Sequence, residues 1–141
     1  MIDLKSPREI GLMRRGGHIL AELMDRLRGT VKAGMSTLEI DEAVEAFLAS
    51  RGAQPAFKGY RGFPATVCVS INDEFVHGIP SAHRRLKEGD IVGLDLGCIV
   101  EGYYADSAIT LPVGPVPPRV QELLDVTRES LDKAIVQCRA G

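Results

Sequence analysis

The feature that most constrains the fold is a pair of consecutive predicted strands in the middle of the chain. Residues 91–100 and 103–111 are rich in β-branched and other apolar residues, and Glu101-Gly102 between them suits a tight reversal. If that loop has two residues, Val100 pairs with Tyr103, and Asp95 lies opposite Ala108. The pattern therefore predicts a long antiparallel hairpin with a defined register.

The two faces of the first strand differ in chemistry. Successive side chains of a strand point to opposite faces. One face therefore carries five apolar residues, Val92, Leu94, Leu96, Cys98 and Val100, and the other carries a carboxylate between two glycines, Gly93, Asp95 and Gly97. A carboxylate in an otherwise apolar strand costs several kcal/mol unless its charge is compensated. The flanking glycines leave room for an ion or a substrate close to the backbone.

A second carboxylate falls beside the first in this register. Asp106 is the diagonal neighbour of Asp95 on the same face, within side-chain reach of a common centre. Two like charges there repel, and each raises the other's proton affinity. A divalent cation, or a pair of cations, bound by oxygen ligands resolves this conflict. The alternative, on the residues alone, is that one aspartate faces solvent at a strand end and caps a turn.

Other candidate residues depend on weaker patterns. His77 follows Phe75-Val76, which is predicted to return as a short strand, and precedes Gly78-Ile79-Pro80. An imidazole there can exchange a proton near a bound substrate, or it can be a hydrogen-bonded structural residue. Cys68, Tyr60 and Phe63 are either core residues or the lining of an apolar pocket beside the carboxylates.

The remaining segments predict an α+β fold. Ser6-Pro7-Arg8-Glu9 and Ser36-Thr37-Leu38-Glu39 are capping boxes that start two helices. The first helix carries apolar or small residues at three- and four-residue spacing, at Ile10, Met13, Gly17, Leu20, Met24 and Leu27. A half-buried strand is predicted over 65–71 and an amphipathic helix over 120–135. A basic residue, alanine and glycine follow both the first helix, at 32–34, and the last, at 139–141, which suggests that a second copy of the architecture begins.

The composition excludes several classes of protein. The chain has 17 basic and 19 acidic residues, so it has no basic excess for general nucleic-acid binding, and Arg84-Arg85 is interpreted as solvated surface. No apolar run reaches the ~18 residues of a membrane span, and the start lacks the apolar segment of a signal peptide. Three cysteines without C-x-x-C spacing favour a reducing compartment. We therefore expect a cytoplasmic protein without membrane association.

An ordered series of short motifs resembles type I methionine aminopeptidases of the bacterial kind over essentially the whole chain, including 2–14 and 34–42. The motifs run from Phe57 to Pro64, Val67 to Asn72, Val76 to Pro80, Gly89 to Val92, Asp95 to Gly97 and Tyr104 to Ala108, followed by Thr110 and Val113-Gly114. The resemblance implies a pita-bread (creatinase/aminopeptidase) fold. In that fold two pseudo-symmetric halves, each with an antiparallel sheet and flanking helices, surround a two-metal centre.

The resemblance also implies roles for individual residues. Asp95 and Asp106 match the family's two metal ligands from the first half, and His77 matches its substrate-contacting histidine. Its pocket for the methionine side chain matches Phe57, Tyr60, Phe63 and Cys68, and Phe57 stands where relatives often carry a small or sulfur-bearing residue.

The implied activity is removal of the initiator methionine from the N-terminal peptides of nascent proteins. The implied cofactors are two divalent ions, of Co, Mn, Fe, Zn or Ni, which activate a water. The ribosome is a candidate partner, and the parent enzyme is expected to be a monomer.

One part of the family pattern is missing from this sequence. The family completes its metal site with a histidine and two glutamates from the second half, and no histidine follows Asp106 here. We therefore expect residues 1–141 to be a single incomplete domain, the N-terminal half of the catalytic domain plus the first helix of the second half, inactive alone. Two other functions stay open: a non-catalytic pita-bread half that acts as a binding or assembly module, and a proline-specific aminopeptidase of the same fold.

Overall fold

The computed structural model describes residues 3–140, which form three helices and a four-stranded antiparallel sheet. In chain order the elements are α1 (Pro7–Thr30), α2 (Thr37–Ser50), β1 (Gln54–Pro55), a 3-10 turn (Tyr60–Gly62), β2 (Val67–Ile71), β3 (Ile91–Val100), β4 (Tyr103–Pro112) and α3 (Pro118–Gln137). The predicted α+β class is confirmed. Within residues 3–140, no helix combines the length and the apolar character needed to cross a membrane.

Both predicted capping boxes form at the starts of α1 and α2. The Ser6 hydroxyl accepts a hydrogen bond from the Glu9 backbone N–H at 3.4 Å, and the Glu9 carboxylate accepts one from the Ser6 backbone N–H at 2.7 Å. Ser36 and Glu39 repeat this exchange at 3.2 and 2.6 Å. These side chains satisfy N–H groups that the first helical turn leaves without partners, so both helices begin where the sequence predicts.

The sheet has the predicted hairpin register. β4 pairs with β3 along its whole length, with Val100 opposite Tyr103 and Asp95 opposite Ala108. The other edge of β3 is shared by β2 and, further along, by β1. Because no bulge interrupts the β3–β4 pairing, the alternation of faces deduced from the sequence holds from one end of the hairpin to the other.

The apolar face of β3 forms the core together with α1 and α2. Val92, Leu94, Leu96, Cys98 and Val100 are all buried against helical residues that include Leu20, Leu23, Ile40, Val44 and Leu48. Helix α1 approaches the sheet most closely at Gly16, where an added Cβ would lie 3.0 Å from the Cβ of Ala105. Nearer its start the helix meets the hairpin through polar contacts, such as the Tyr103 hydroxyl donating to the Glu9 carboxylate at 2.7 Å. Ile10 and Met13, predicted on the buried face, are 44% and 42% exposed, and Gly16 rather than Gly17 meets the sheet.

A buried carboxylate on α2 holds the start of β2, which the sequence patterns did not indicate. Oδ1 of Asp41 accepts hydrogen bonds from the backbone N–H groups of Thr66, at 2.7 Å, and Val67, at 3.0 Å. Asp41 is only 6% exposed, so water does not replace these bonds. This contact fixes β2, and hence the strand neighbouring Asp95, relative to the helical layer.

We expect Asp41→Ala to destabilise the chain by about 2–4 kcal/mol, because it leaves two buried N–H donors without an acceptor. Asp41→Asn keeps one acceptor oxygen and is expected to lose less. Urea unfolding followed by circular dichroism measures both, and Glu42→Ala, an exposed neighbour on the same helix, serves as the control. A loss below about 1 kcal/mol for Asp41→Ala would show that the tether is dispensable.

Helix α3 forms as predicted but has no buried residue. Its apolar side chains face solvent: Leu123, Val126, Leu131, Ile135 and Val136 are each more than half exposed. Helix α3 therefore presents an exposed apolar face in the part of the chain that the structure describes. The repeated Arg139-Ala140-Gly141 ends at Gly141, which lies outside the described residues.

We expect amide hydrogen exchange in α3 of the isolated 141-residue chain to be much faster than in β3 and β4. The helix buries no side chain, whereas alternate residues of β3 are buried in the core. Exchange measured by mass spectrometry resolves the two regions. Equal protection of α3 and the hairpin in a monomer would mean that the helix is anchored without a partner surface.

Candidate functional site

Two carboxylates lie on the open face of the hairpin, opposite the core. Asp95 on β3 pairs with Ala108, and Asp106 on β4 pairs with Gly97, so the two aspartates are diagonal neighbours on one face. Asp95 is half-buried and Asp106 is exposed. On the other side of β3, Cys68 of β2 lies directly opposite Asp95. Three adjacent strands therefore bring these groups together.

The surroundings of Asp95 on balance disfavour its charged form. Burial raises the pKa of Asp95 above its ordinary value, and the carboxylate of Asp106 raises it further, while the nearby His77 acts in the opposite direction. The predicted repulsion between the two carboxylates is thus present. A group of this kind in a structured site favours binding of a cation.

Cys68 is a neutral thiol in this setting. Burial raises the pKa of Cys68 to about 11, and the charges of Asp95 and Asp106 add to the increase. A thiol that keeps its proton at neutral pH is a poor metal ligand, because metals bind the thiolate. Cys68 is 4% exposed and is better suited to the wall of a pocket than to a metal site.

The two glycines that flank Asp95 have different surroundings. An added Cβ on Gly97 would lie 2.9 Å from Cε1 of Phe57 and 3.0 Å from Cβ of Ala56, so the Phe57 ring covers this position. A Cβ on Gly93 would have no atom closer than the Ser70 carbonyl oxygen at 3.7 Å. The space predicted beside Asp95 therefore exists on the Gly93 side, and Phe57 fills it on the other.

A tight turn places the aromatic residues at the site. The backbone N–H of Tyr60 donates to the Phe57 carbonyl, and that of Phe63 donates to the Tyr60 carbonyl, both at 2.9 Å. Phe57 and Phe63 are half-buried, whereas Tyr60 is 63% exposed. Phe57 and Cys68 thus lie directly beside the carboxylate pair, and Tyr60 extends from the turn into solvent.

His77 lies in a loop rather than at the end of a strand. The returning strand predicted over Phe75-Val76-His77 does not form, and Phe75 is 93% exposed. Instead His77 adopts a left-handed backbone conformation with φ 57°, and Gly78 packs so closely that an added Cβ would lie 2.1 Å from the Val69 carbonyl oxygen. The contact that brings His77 near Asp95 is therefore the backbone hydrogen bond of 2.8 Å from the Val69 N–H to the Gly78 carbonyl.

The loop that carries His77 is anchored by contacts that the sequence did not reveal. The Thr37 hydroxyl exchanges hydrogen bonds with the backbone of Ser81, at 2.8 and 3.1 Å. The Arg84 guanidinium donates to the Ile79 carbonyl at 2.8 Å and pairs with Glu74. Arg84 is thus a structural residue, which corrects its interpretation as solvated surface. No spacing pattern signals these contacts, because the partners are far apart in sequence or belong to irregular backbone.

Within residues 3–140, no group of three or more histidine, cysteine, aspartate or glutamate side chains is arranged to hold a metal ion. Asp95 and Asp106 are therefore a pair of neighbouring carboxylates without a third such side chain beside them in this part of the chain.

Comparison with known proteins gives the family and the fold. The sequence pattern of metallopeptidase family M24 matches residues 11–141. The chain is 47% identical over 141 residues to methionine aminopeptidase 1 of Bacillus subtilis, which covers all of this chain and 56% of that protein. The crystal structure of a methionine aminopeptidase from Thermotoga maritima superposes with a TM-score of 0.96 at 39% identity, over all of this chain and 57% of that one.

A prolidase from Pyrococcus horikoshii has the same fold at lower similarity, with a TM-score of 0.80 and 25% identity over 93% of this chain and 36% of its own. The chain spans about half the length of the curated relatives that it matches. The antiparallel sheet with flanking helices is the pita-bread architecture implied by the motifs. With a sequence match over nearly its whole length and a superposition of this quality, the chain belongs to metallopeptidase family M24.

Proposed function

We propose that residues 1–141 supply the first half of the active site of a methionine aminopeptidase, which removes the N-terminal methionine from new proteins. The observation that carries the proposal is the diagonal pair Asp95 and Asp106, with the Phe57 ring and the Cys68 thiol beside it. Methionine aminopeptidases from several bacteria are 42–48% identical to this chain over nearly all of it.

Membership of a metallopeptidase family implies divalent metal ions, and the chemistry of Asp95 and Asp106 fits such ions. Asp95 and Asp106 supply oxygen ligands on one face, and burial together with the neighbouring Asp106 carboxylate raises the pKa of Asp95. A Cβ added at Gly93 would make only ordinary van der Waals contacts, the nearest at 3.7 Å, so no side chain crowds this side of Asp95. We propose two ions, of Co, Mn, Fe, Zn or Ni, held by Asp95 and Asp106 together with ligands from the second half of the enzyme.

When bound, such ions lower the pKa of a water and polarise the scissile carbonyl. The residues of this chain bind and orient the substrate. Phe57, Phe63 and Cys68 form an apolar wall for the methionine side chain, with Tyr60 at its exposed edge, and burial of the methylene groups contributes about 0.8 kcal/mol each. His77 lies near Asp95, where it would hydrogen-bond the substrate amide, and the backbone of its loop is held by the bond between Val69 and Gly78.

Two features set this proposal apart from the alternatives. The prolidase shares the fold at 25% identity, whereas the methionine aminopeptidases of Bacillus subtilis and Thermotoga maritima match at 47% and 39%. A purely structural or binding module has no physical need for a half-buried carboxylate that repels its neighbour. Both features favour a methionine-specific enzyme.

We propose further that residues 1–141 are one incomplete domain, in which α3 is the first helix of the second half. Its exposed apolar side chains support this assignment, because a two-half fold would cover them. A cytoplasmic monomer that acts on nascent chains at the ribosome is the setting proposed for the complete enzyme.

The test uses a chimaera of this chain and the part of the Bacillus subtilis relative that follows the matched region. We expect the purified chimaera, with Co²⁺ or Mn²⁺, to release methionine from the peptide Met-Ala-Ser. Preferential cleavage of Ala-Pro-Ala would support the proline-specific alternative. A folded chimaera that cleaves neither peptide would support a non-catalytic module.

His77→Asn is expected to lower kcat of the chimaera about 10²-fold, because the shorter side chain does not place a hydrogen-bond donor at the substrate amide. Metal affinity should stay the same. Asparagine tolerates the left-handed backbone at φ 57°, so the loop is preserved. His83→Asn, an exposed histidine of the same loop, is the control. Unchanged turnover in His77→Asn would remove His77 from the mechanism.

A further inference from the structure

The turn at the proposed site carries a cation, Arg61, that has no role in the proposed metal site or in the methionine pocket. Arg61 lies in the 3-10 turn with φ 48° and ψ 30°, in the left-handed region that glycine and asparagine adopt more readily. Its neighbours Gly59 and Gly62 also have positive φ values, of 86° and 84°. Residues in disfavoured backbone conformations occur preferentially at active sites and ligand-binding sites.

This turn is fixed to the sheet next to the carboxylates. The Ala56 backbone N–H donates to the Gly97 carbonyl at 3.0 Å, and the Phe57 ring covers Gly97, whose partner on β4 is Asp106. The Gly59 backbone N–H donates to the Phe63 carbonyl at 2.8 Å, which closes the turn. Arg61 is therefore presented by a rigid segment at the rim of the proposed methionine pocket.

The charge of Arg61 is not used within the described chain. The other cation of the segment, Lys58, pairs with Glu45 at 2.7 Å. Between residues 3 and 140, no carboxylate lies within ion-pair distance of Arg61 and its guanidinium donates no hydrogen bond to another residue. The guanidinium lies 5.4 Å from the centroid of the exposed Tyr60 ring, and stacking of this kind leaves its N–H donors accessible.

We propose that Arg61 is a specificity-determining residue that binds a carboxylate on the part of the peptide substrate that follows the methionine. The inference rests on the proposed function. With the methionine side chain against Phe57 and Cys68, the rest of the peptide leaves the pocket at its rim, where Tyr60 and Arg61 are exposed. A guanidinium suits this task because its planar array of donors matches the two oxygens of a carboxylate.

The test compares two amidated peptides, Met-Ala-Asp-Ser and Met-Ala-Asn-Ser, as substrates of the same chimaera. Exposed ion pairs contribute up to about 1 kcal/mol, so we expect kcat/KM to be about three- to fivefold higher for the aspartyl peptide. The preference should weaken as salt is raised, because the pair is exposed to solvent. Arg61→Asn should remove the preference, because asparagine retains the left-handed backbone but carries no charge.

Lys58→Gln is the matched control, because it removes a cation from the same segment and should keep the preference. Equal kcat/KM values for the two peptides with unmodified Arg61, or a preference that survives Arg61→Asn, would overturn the inference and leave the proposed function standing. Absence of methionine release from both peptides would contradict the proposed function and this inference with it.

Discussion

Asp106→Asn in the chimaera is expected to reduce methionine release more than about 100-fold. Mutation of a residue that only orients a metal ligand lowers metal affinity or activity about 10- to 100-fold. Removal of a charged ligand itself should lower them further. Asparagine nearly conserves the shape of aspartate, so the effect reports on charge and ligation. The measurement is kcat/KM on Met-Ala-Ser with Mn²⁺, together with metal affinity from calorimetry.

Asp95→Asn is expected to have a similar effect, and its stability provides an independent check. Because the pKa of folded Asp95 is raised, ionisation disfavours the folded state at neutral pH. Asp95→Asn should therefore leave the Tm of the metal-free chain unchanged or higher while weakening metal binding. Asp73→Asn, an exposed aspartate in the turn after β2, is the control for charge alone. Activity of Asp106→Asn within about threefold of the parent would refute the assignment of the metal ligands.

The 141-residue chain alone is expected to release no methionine above background. Two carboxylates do not complete a ligand set, and no cluster of three ligands occurs within residues 3–140. A general base supplied by residues outside this chain would contribute a further factor of about 10²–10⁴ in rate. Metal binding to the chain should accordingly be weak and rapidly reversible.

The experiment measures methionine release and Mn²⁺ affinity for the chain alone and for the chimaera at equal concentration. The chimaera should bind Mn²⁺ more tightly and turn over. Robust turnover by the chain alone that is lost in Asp95→Asn would show that a second copy of the chain supplies the remaining ligands. Gel filtration of the active sample would then show a dimer.

Local sequence patterns were sufficient to predict the caps, the hairpin and its two faces. Ser6 and Ser36 start helices because their side chains bond N–H groups three residues away, which is a property of a few neighbouring residues. The two-residue Glu101-Gly102 loop sets the register, and the register alone places Asp106 diagonal to Asp95. Alternation along each strand then decides which side chains share a face.

The sequence predicts the path of the irregular backbone segments least well. The segment from Asn72 to Asp90 has no periodic pattern, so Phe75-Val76-His77 was predicted as a strand and forms a loop instead. Its path depends on Gly78 fitting against the Val69 carbonyl and on Arg84 bonding the Ile79 carbonyl. Such contacts are set by the shape of the folded surface and leave no repeating signature in the chain.

The sequence by itself thus determined the α+β class, the helix starts, the hairpin register and the placement of two carboxylates on one face. The tertiary structure decided that Phe57 fills the space over Gly97, that Asp41 holds the start of β2, and that a loop brings His77 near Asp95. The physical reason is the range of the interactions. Hydrogen bonding and side-chain alternation within a hairpin repeat every few residues, whereas these three contacts join segments whose proximity exists only after the core has packed.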